Sequence, residues 1–89
     1  MIKVMIVDDE RNIREGIIHL INWRELGCEV VHSCNNGSTA LSYLEGNPVD
    51  IVVTDIKMPI MDGLDLSKRI SEKYMAKVII LTAYSDFAL

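Results

Sequence analysis

The chain has 89 residues, just short of a typical single domain of about 100–150 residues. Hydrophobic residues make up 49% and charged residues 25%, an ordinary globular balance that excludes disordered, collagen-like and low-complexity classes. Thirteen acids against nine Lys and Arg leave a net charge of −4. That speaks against nucleic acid or an anionic membrane as a direct partner, since both need a positive face.

Ile2 to Val7 is a β-branched, nearly continuous apolar run that stops at Asp8-Asp9-Glu10. It reads as a strand buried on both faces, the habit of parallel sheets. Interrupted by Lys3, it is too short for a signal or membrane-spanning segment. From Arg11 the period changes, and Ile13, Ile17, Leu20 and Ile21 form one helical stripe. Asp9 and Glu10 sit at that helix's positive end. Gly16 inside it suggests close backbone packing.

Asn22 to Gly27 is a connector in which Trp23 reads as a packing plug, and Cys28 to Ser33 is a more mixed strand. The turn at Asn35-Asn36-Gly37 launches a helix with Ala40, Leu41 and Leu44 on one side, ended by Gly46-Asn47-Pro48. Ile51-Val52-Val53 centres the next strand, which runs into Asp55. Met58 to Gly63 is a loop, and Leu66, Ile70 and Tyr74 mark a third helix with Asp65 and Arg69 as an exposed pair. Lys77 to Leu81 is a last apolar strand ending in Thr82, and Ser85 caps a helix begun by Asp86 to Leu89.

Strands and helices alternate, which predicts an α/β domain with a parallel sheet. Parallel strands present their C-terminal ends at one rim, where open α/β sheets bind ligands. Asp8, Asp9, Asp55 and Thr82 all follow apolar strands and converge there. Crowded carboxylates repel and one takes up a proton unless a cation is present. Magnesium suits a site of few carboxylates, waters and a phosphate oxygen, and a carboxylate can itself attack phosphorus. Asp55 is the expected nucleophile, left exposed by the loop that follows it, and the Thr82 hydroxyl can donate to a phosphoryl oxygen. Cys28, Cys34, His19 and His32 fit no common zinc spacing. Two cysteines are also too few for a disulfide-stapled secreted fold, and the expected location is the cytoplasm.

The acid pair Asp8-Asp9, the acceptor Asp55 after Ile51-Val52-Val53-Thr54, Lys57-Met58-Pro59, Met61-Asp62-Gly63 and Thr82-Ala83 occur in that order at strand ends. Together they resemble the receiver domain of a two-component response regulator, over all 89 residues. The resemblance implies a flavodoxin-like doubly wound sheet of order 2-1-3-4-5, here cut after the fourth strand to 2-1-3-4. It implies that Asp55 accepts a phosphoryl group from a sensor histidine kinase. Asp8, Asp9, Asp55 and the Lys57 carbonyl would then hold Mg2+, Asp8 mostly through a metal-bound water. Thr82 would be the switch hydroxyl, with the Ala83 amide beside it, and Pro59 and Gly63 would shape the loop. The family's fifth strand, with its lysine and aromatic switch partner, has no counterpart before Leu89, so residues 1–89 read as an incomplete receiver.

Trp23-x-x-Leu26-Gly27 and Ala83 to Phe87 are similar to the branch whose output is an AraC-type DNA-binding module. DNA contact would belong to that output module alone. The uncovered edge of the fourth strand is a surface through which two copies could pair, making a non-switching dimerising fragment one rival reading. An aspartyl-phosphate phosphohydrolase is disfavoured because Lys57 stands where that class needs a second acid. A flavin carrier is disfavoured because Asp8-Asp9-Glu10 would repel its phosphate. The expected function is a switch rather than an enzyme.

Overall fold

The computed structural model describes residues 1–82. The expected helix near Ser85, and Ala83 with it, lie outside the described residues. Strand β1 (Ile2–Val7) leads to helix α1 (Arg11–Leu20), a short 3-10 turn (Trp23–Leu26) and β2 (Cys28–Cys34). Helix α2 (Gly37–Gly46), β3 (Ile51–Asp55), α3 (Gly63–Lys73) and β4 (Lys77–Leu81) follow. The four strands are parallel in the order β2-β1-β3-β4, the expected truncated doubly wound sheet.

Alternation along the strands divides the core between the two faces of the sheet. Met5, Val7 and Val52 point to one side, where Ala40 and Leu44 of α2 and Leu66 and Ile70 of α3 close over them. Val4, Ile6 and Val53 point to the other, against Ile17 and Ile18 of α1 and Trp23. Trp23 is half-buried and ties its connector to α1 by donating its indole N–H to the Ile17 carbonyl, at 3.2 Å. The outer strand β2 is joined to α2 by His32 stacked on Tyr43, with ring centroids 4.0 Å apart. Asn36 caps α2 by accepting from the Thr39 amide, and Asp62 caps α3 by accepting from Asp65, each at 2.8 Å. Caps of this kind contribute about 1 kcal/mol each.

Three expectations about the helices are corrected. The α1 stripe is only partly used: Ile13, Leu20 and Ile21 are exposed, Leu20 by 87%, and Ile18 joins Ile17 instead. A helix that meets its sheet along two residues leaves the rest of its apolar arc in water. Gly16 is not a close-packing site, since a β-carbon there would meet only the Leu20 side chain at an ordinary 3.9 Å. Asp65 and Arg69 are both exposed and form no ion pair among the described residues. Asp65 instead has its amide held by the Asp62 cap.

The α2–α3 face carries the fold. Ile70→Ala removes a fully buried side chain and should cost about 2–5 kcal/mol. Leu20→Ser should shift stability by no more than about 0.5 kcal/mol. Urea denaturation of the two variants side by side checks the contrast.

Candidate functional site

The register of the sheet sets the site. Val7 lies opposite Thr54, so Asp8 and Asp55 leave neighbouring strands side by side. On the other flank Asp55 is level with Leu81, which puts Thr82 one residue past the same rim. Asp8, Asp9 and Asp55 each offer a carboxylate oxygen within 4.8 Å of the other two. This is the sole grouping of three or more acids, histidines or cysteines with metal-site spacing among the described residues. Cys28, Cys34, His19 and His32 do not gather.

Asp8 is held at almost every polar atom. Its amide donates to the Cys34 carbonyl at 3.1 Å. Its own carbonyl accepts from Nη1 of Arg14 at 2.8 Å, and its Oδ1 accepts from the Glu10 amide at 2.9 Å. The side chain is buried, only 3% exposed. Burial pushes its carboxyl above the ordinary carboxylate range; the Glu10 amide pulls the other way, and the charges of Asp55, Asp9 and Glu10 push it further up. Asp9 is exposed and Asp55 half-buried. Oδ1 of Asp55 accepts from the Ile56 amide at 2.8 Å, which fixes one carboxylate oxygen against its own backbone. Arg14 went unremarked in the sequence, where nothing but its place one turn into α1 hinted that it would reach back to Asp8.

The loop after Asp55 is closed tightly. The Gly63 amide donates to the Ile56 carbonyl at 2.8 Å, and a β-carbon on Gly63 would collide with the Asp55 carbonyl and Ile56. Gly63 therefore tolerates no side chain at this closure. Pro59 is exposed and its carbonyl accepts from the Met61 amide at 2.7 Å, bending the chain between them. Met61 packs its side chain over Gly37 at the start of α2, so a β-carbon there would require the Met61 thioether to move aside. Lys57 is exposed two residues beyond Asp55, and Thr82 is exposed at the end of β4.

A family model for the response regulator receiver domain matches residues 4–89. The chain belongs to this family. Among curated relatives, the transcriptional regulatory protein HptR of Staphylococcus aureus is 40% identical over 87 residues. That match takes in 98% of this chain and 34% of HptR, so the chain spans about a third of that relative's length. The receiver domain of AraT, a response regulator from Geobacillus stearothermophilus, superposes with a TM-score of 0.85 at 44% identity, covering 97% of this chain and 67% of that one. The response regulator TrrA of Thermotoga maritima, solved in complex with Mg2+-BeF, gives 0.82 at 39% identity over 98% of this chain and 74% of its own. TrrA is also known in complex with the histidine kinase ThkA. The receiver fold expected from the motifs is therefore the fold of this chain. No helix among its described residues is long and apolar enough to cross a membrane.

The raised Asp8 carboxyl has a consequence for stability. A carboxyl raised in the folded state stabilises the fold while protonated, and that contribution is lost as the pH climbs past its folded value. Ionising Asp8 in the folded chain therefore works against folding. Asp8→Asn keeps the acceptor for the Glu10 amide and removes the charge, so its Tm at pH 7 should exceed the parent's by several degrees. The gap should close as the pH falls below the carboxylate range; calorimetry across pH checks it. Gly63→Ala should cost about 2–3 kcal/mol by overpacking, measured in the same way.

Proposed function

We propose that the chain is a phosphoacceptor switch in which Asp55 takes a phosphoryl group from a sensor histidine kinase with Mg2+ as cofactor. The observation that carries this reading is the gathering of three carboxylates within 4.8 Å at the sheet's C-terminal rim. All-oxygen, anionic donors suit a hard divalent cation, and a buried carboxyl pushed toward its neutral form is a site whose charge is uncompensated. Asp8, Asp9 and Asp55, with the carbonyl of Lys57, would hold the ion. Bound there, Mg2+ neutralises the charge that gathers on the phosphoryl oxygens during transfer.

The chain's own residues do the rest. Asp55 Oδ1 is tied to the Ile56 amide, so Oδ2 is the oxygen presented to phosphorus. It attacks in line, the bond between phosphorus and the donor's imidazole nitrogen breaks, and that electron pair returns to the ring. An acyl phosphate results on Asp55. Asp8, locked through its amide, carbonyl and Oδ1, keeps its place while the charge changes beside it. Thr82, one residue past the rim, supplies a hydroxyl to a phosphoryl oxygen. The added charge and acceptor oxygens bias the segment carrying Thr82, which is how a phosphoryl group becomes a switch. Support for the partner and the cofactor comes from TrrA, known with a histidine kinase and with Mg2+-BeF. A transcriptional role for the whole protein is supported by the naming of HptR as a transcriptional regulatory protein; contact with DNA would be made by an output domain.

Acetyl phosphate with Mg2+ should add one phosphoryl group to the protein, seen by intact-protein mass spectrometry. Asp55→Asn and chelation of the metal should each reduce labelling at least a hundredfold. Full labelling of Asp55→Asn would refute the assignment of the acceptor. Arg14→Ala, which frees the Asp8 carbonyl, should weaken Mg2+ binding several-fold by isothermal titration without unfolding the chain, and Arg14→Lys should recover part of it.

A further inference from the structure

Among the described residues the buried polar or charged side chains are Asp8 and Thr54, and Thr54 is enclosed completely. Burying a hydroxyl is unfavourable unless it is hydrogen-bonded. The strand around it is apolar, with Val52 and Val53 just before it, and a valine would fill the same volume with no polar atom to satisfy. The Thr54 hydroxyl is engaged at one place. Its Oγ1 donates to the main-chain carbonyl of Asp55 at 3.0 Å.

That carbonyl is one end of the peptide unit joining Asp55 to Ile56. At the other end the Ile56 N–H is shared, donating to Oδ1 of Asp55 at 2.8 Å and to the Leu81 carbonyl at 3.2 Å. A peptide unit is planar, so holding its oxygen also holds the direction of its N–H. Gly63 packs against the same unit, where a β-carbon would meet the Asp55 carbonyl and the Ile56 α-carbon. One small plane is thus held at its oxygen, at its nitrogen and across its face. If the oxygen end came loose and the plane tipped, the N–H would swing off Oδ1 and the carboxylate would lose its fixed oxygen.

We infer that Thr54 is a positioning residue for phosphoryl transfer: its hydroxyl sets the Asp55–Ile56 peptide, and that peptide aims the Asp55 carboxylate. The inference rests on the phosphoacceptor reading and adds to it a residue that acts only through the acceptor's backbone. A misplacement of about 1 Å at a reacting atom can cost about a hundredfold in rate. A bond one residue from the nucleophile is therefore one whose loss a rate measurement can detect.

Two variants of the full-length protein separate positioning from packing. Thr54→Val keeps the shape and loses the donor; Thr54→Ser keeps the donor and loses a buried methyl group, so it should melt a few degrees below Thr54→Val. With acetyl phosphate and Mg2+, followed by intact-protein mass spectrometry, Thr54→Val should be labelled about tenfold more slowly than the parent. Thr54→Ser should stay within about twofold of the parent, despite being the less stable variant. A merely structural threonine would give the reverse order, with rate following stability. In NMR spectra the Asp55 carbonyl carbon should move upfield in Thr54→Val, with the Ile56 amide proton shifting alongside it, and neither should move in Thr54→Ser. Labelling of Thr54→Val at the parent's rate, slower labelling of Thr54→Ser than of Thr54→Val, or an unmoved Asp55 carbonyl signal would each overturn the inference. A parent protein that takes up no label would instead refute the phosphoacceptor reading, and the role of Thr54 in transfer with it, whatever the carbonyl signal does.

Discussion

Like charges forced together at a strand end are the constraint around which the rest of this molecule is arranged. Two unit charges about 4 Å apart interact by roughly 1 kcal/mol in water and by several times that near a protein surface. Asp8, Asp9 and Asp55 meet within 4.8 Å, and Asp8 is buried as well. Such a cluster would splay apart if its backbone were free to move. Two of the three acids are anchored by other groups: Asp8 by Cys34, Glu10 and Arg14, and Asp55 by Ile56 and the β-ladder. On the proposed reading, a divalent cation bound there would offset that repulsion.

What resists the repulsion is packing some distance from the rim. Met5, Val7 and Val52 are pinned between the sheet and the buried sides of α2 and α3, and those strands carry the acids at their ends. Because the side-chain period of a strand is two, Val7 must point inward for Asp8 to be placed beside Asp55, and a slip of one residue would exchange them. The register of Val7 with Thr54 thus sets where the three carboxylates meet. Burial at one end of the strand sets the distance between charges at the other.

Much of this is legible in the residues. Apolar runs that stop at Asp8 and Asp55 announce strands whose ends converge, since in a parallel sheet all such ends share an edge. Leu66 and Ile70, at helical spacing, announced the buried side of α3, and both are fully buried. The α1 stripe misled because period alone cannot say how much of an apolar arc finds a partner; only Ile17 and Ile18 do. Asp65 and Arg69 have suitable spacing, yet an exposed pair gains too little to hold two long side chains in one geometry. Three features could not be read at all. The Arg14 bond to a main-chain carbonyl, the His32–Tyr43 stack and the positive φ of Ile60 depend on where distant segments meet or on a backbone that isoleucine normally avoids.

The unfavourable features are not scattered. Crowded acidic side chains, a buried carboxyl, a glycine with no room for a side chain and an isoleucine at positive φ all lie between the end of β1 and the start of α3, at one rim. Elsewhere in the described chain the local choices agree with the fold: Asn36 and Asp62 cap their helices, and no buried polar side-chain atom goes without a partner. A sequence selected only for stability would have put glycine at position 60 and a neutral residue at position 8, each change removing a local penalty. Keeping both penalties at one rim gathers the unfavourable local choices there and leaves the core beneath it free of them. On the proposed reading, that rim is the part of the molecule whose arrangement a bound ion or an added phosphoryl group would change with least opposition, while the sheet below stays fixed.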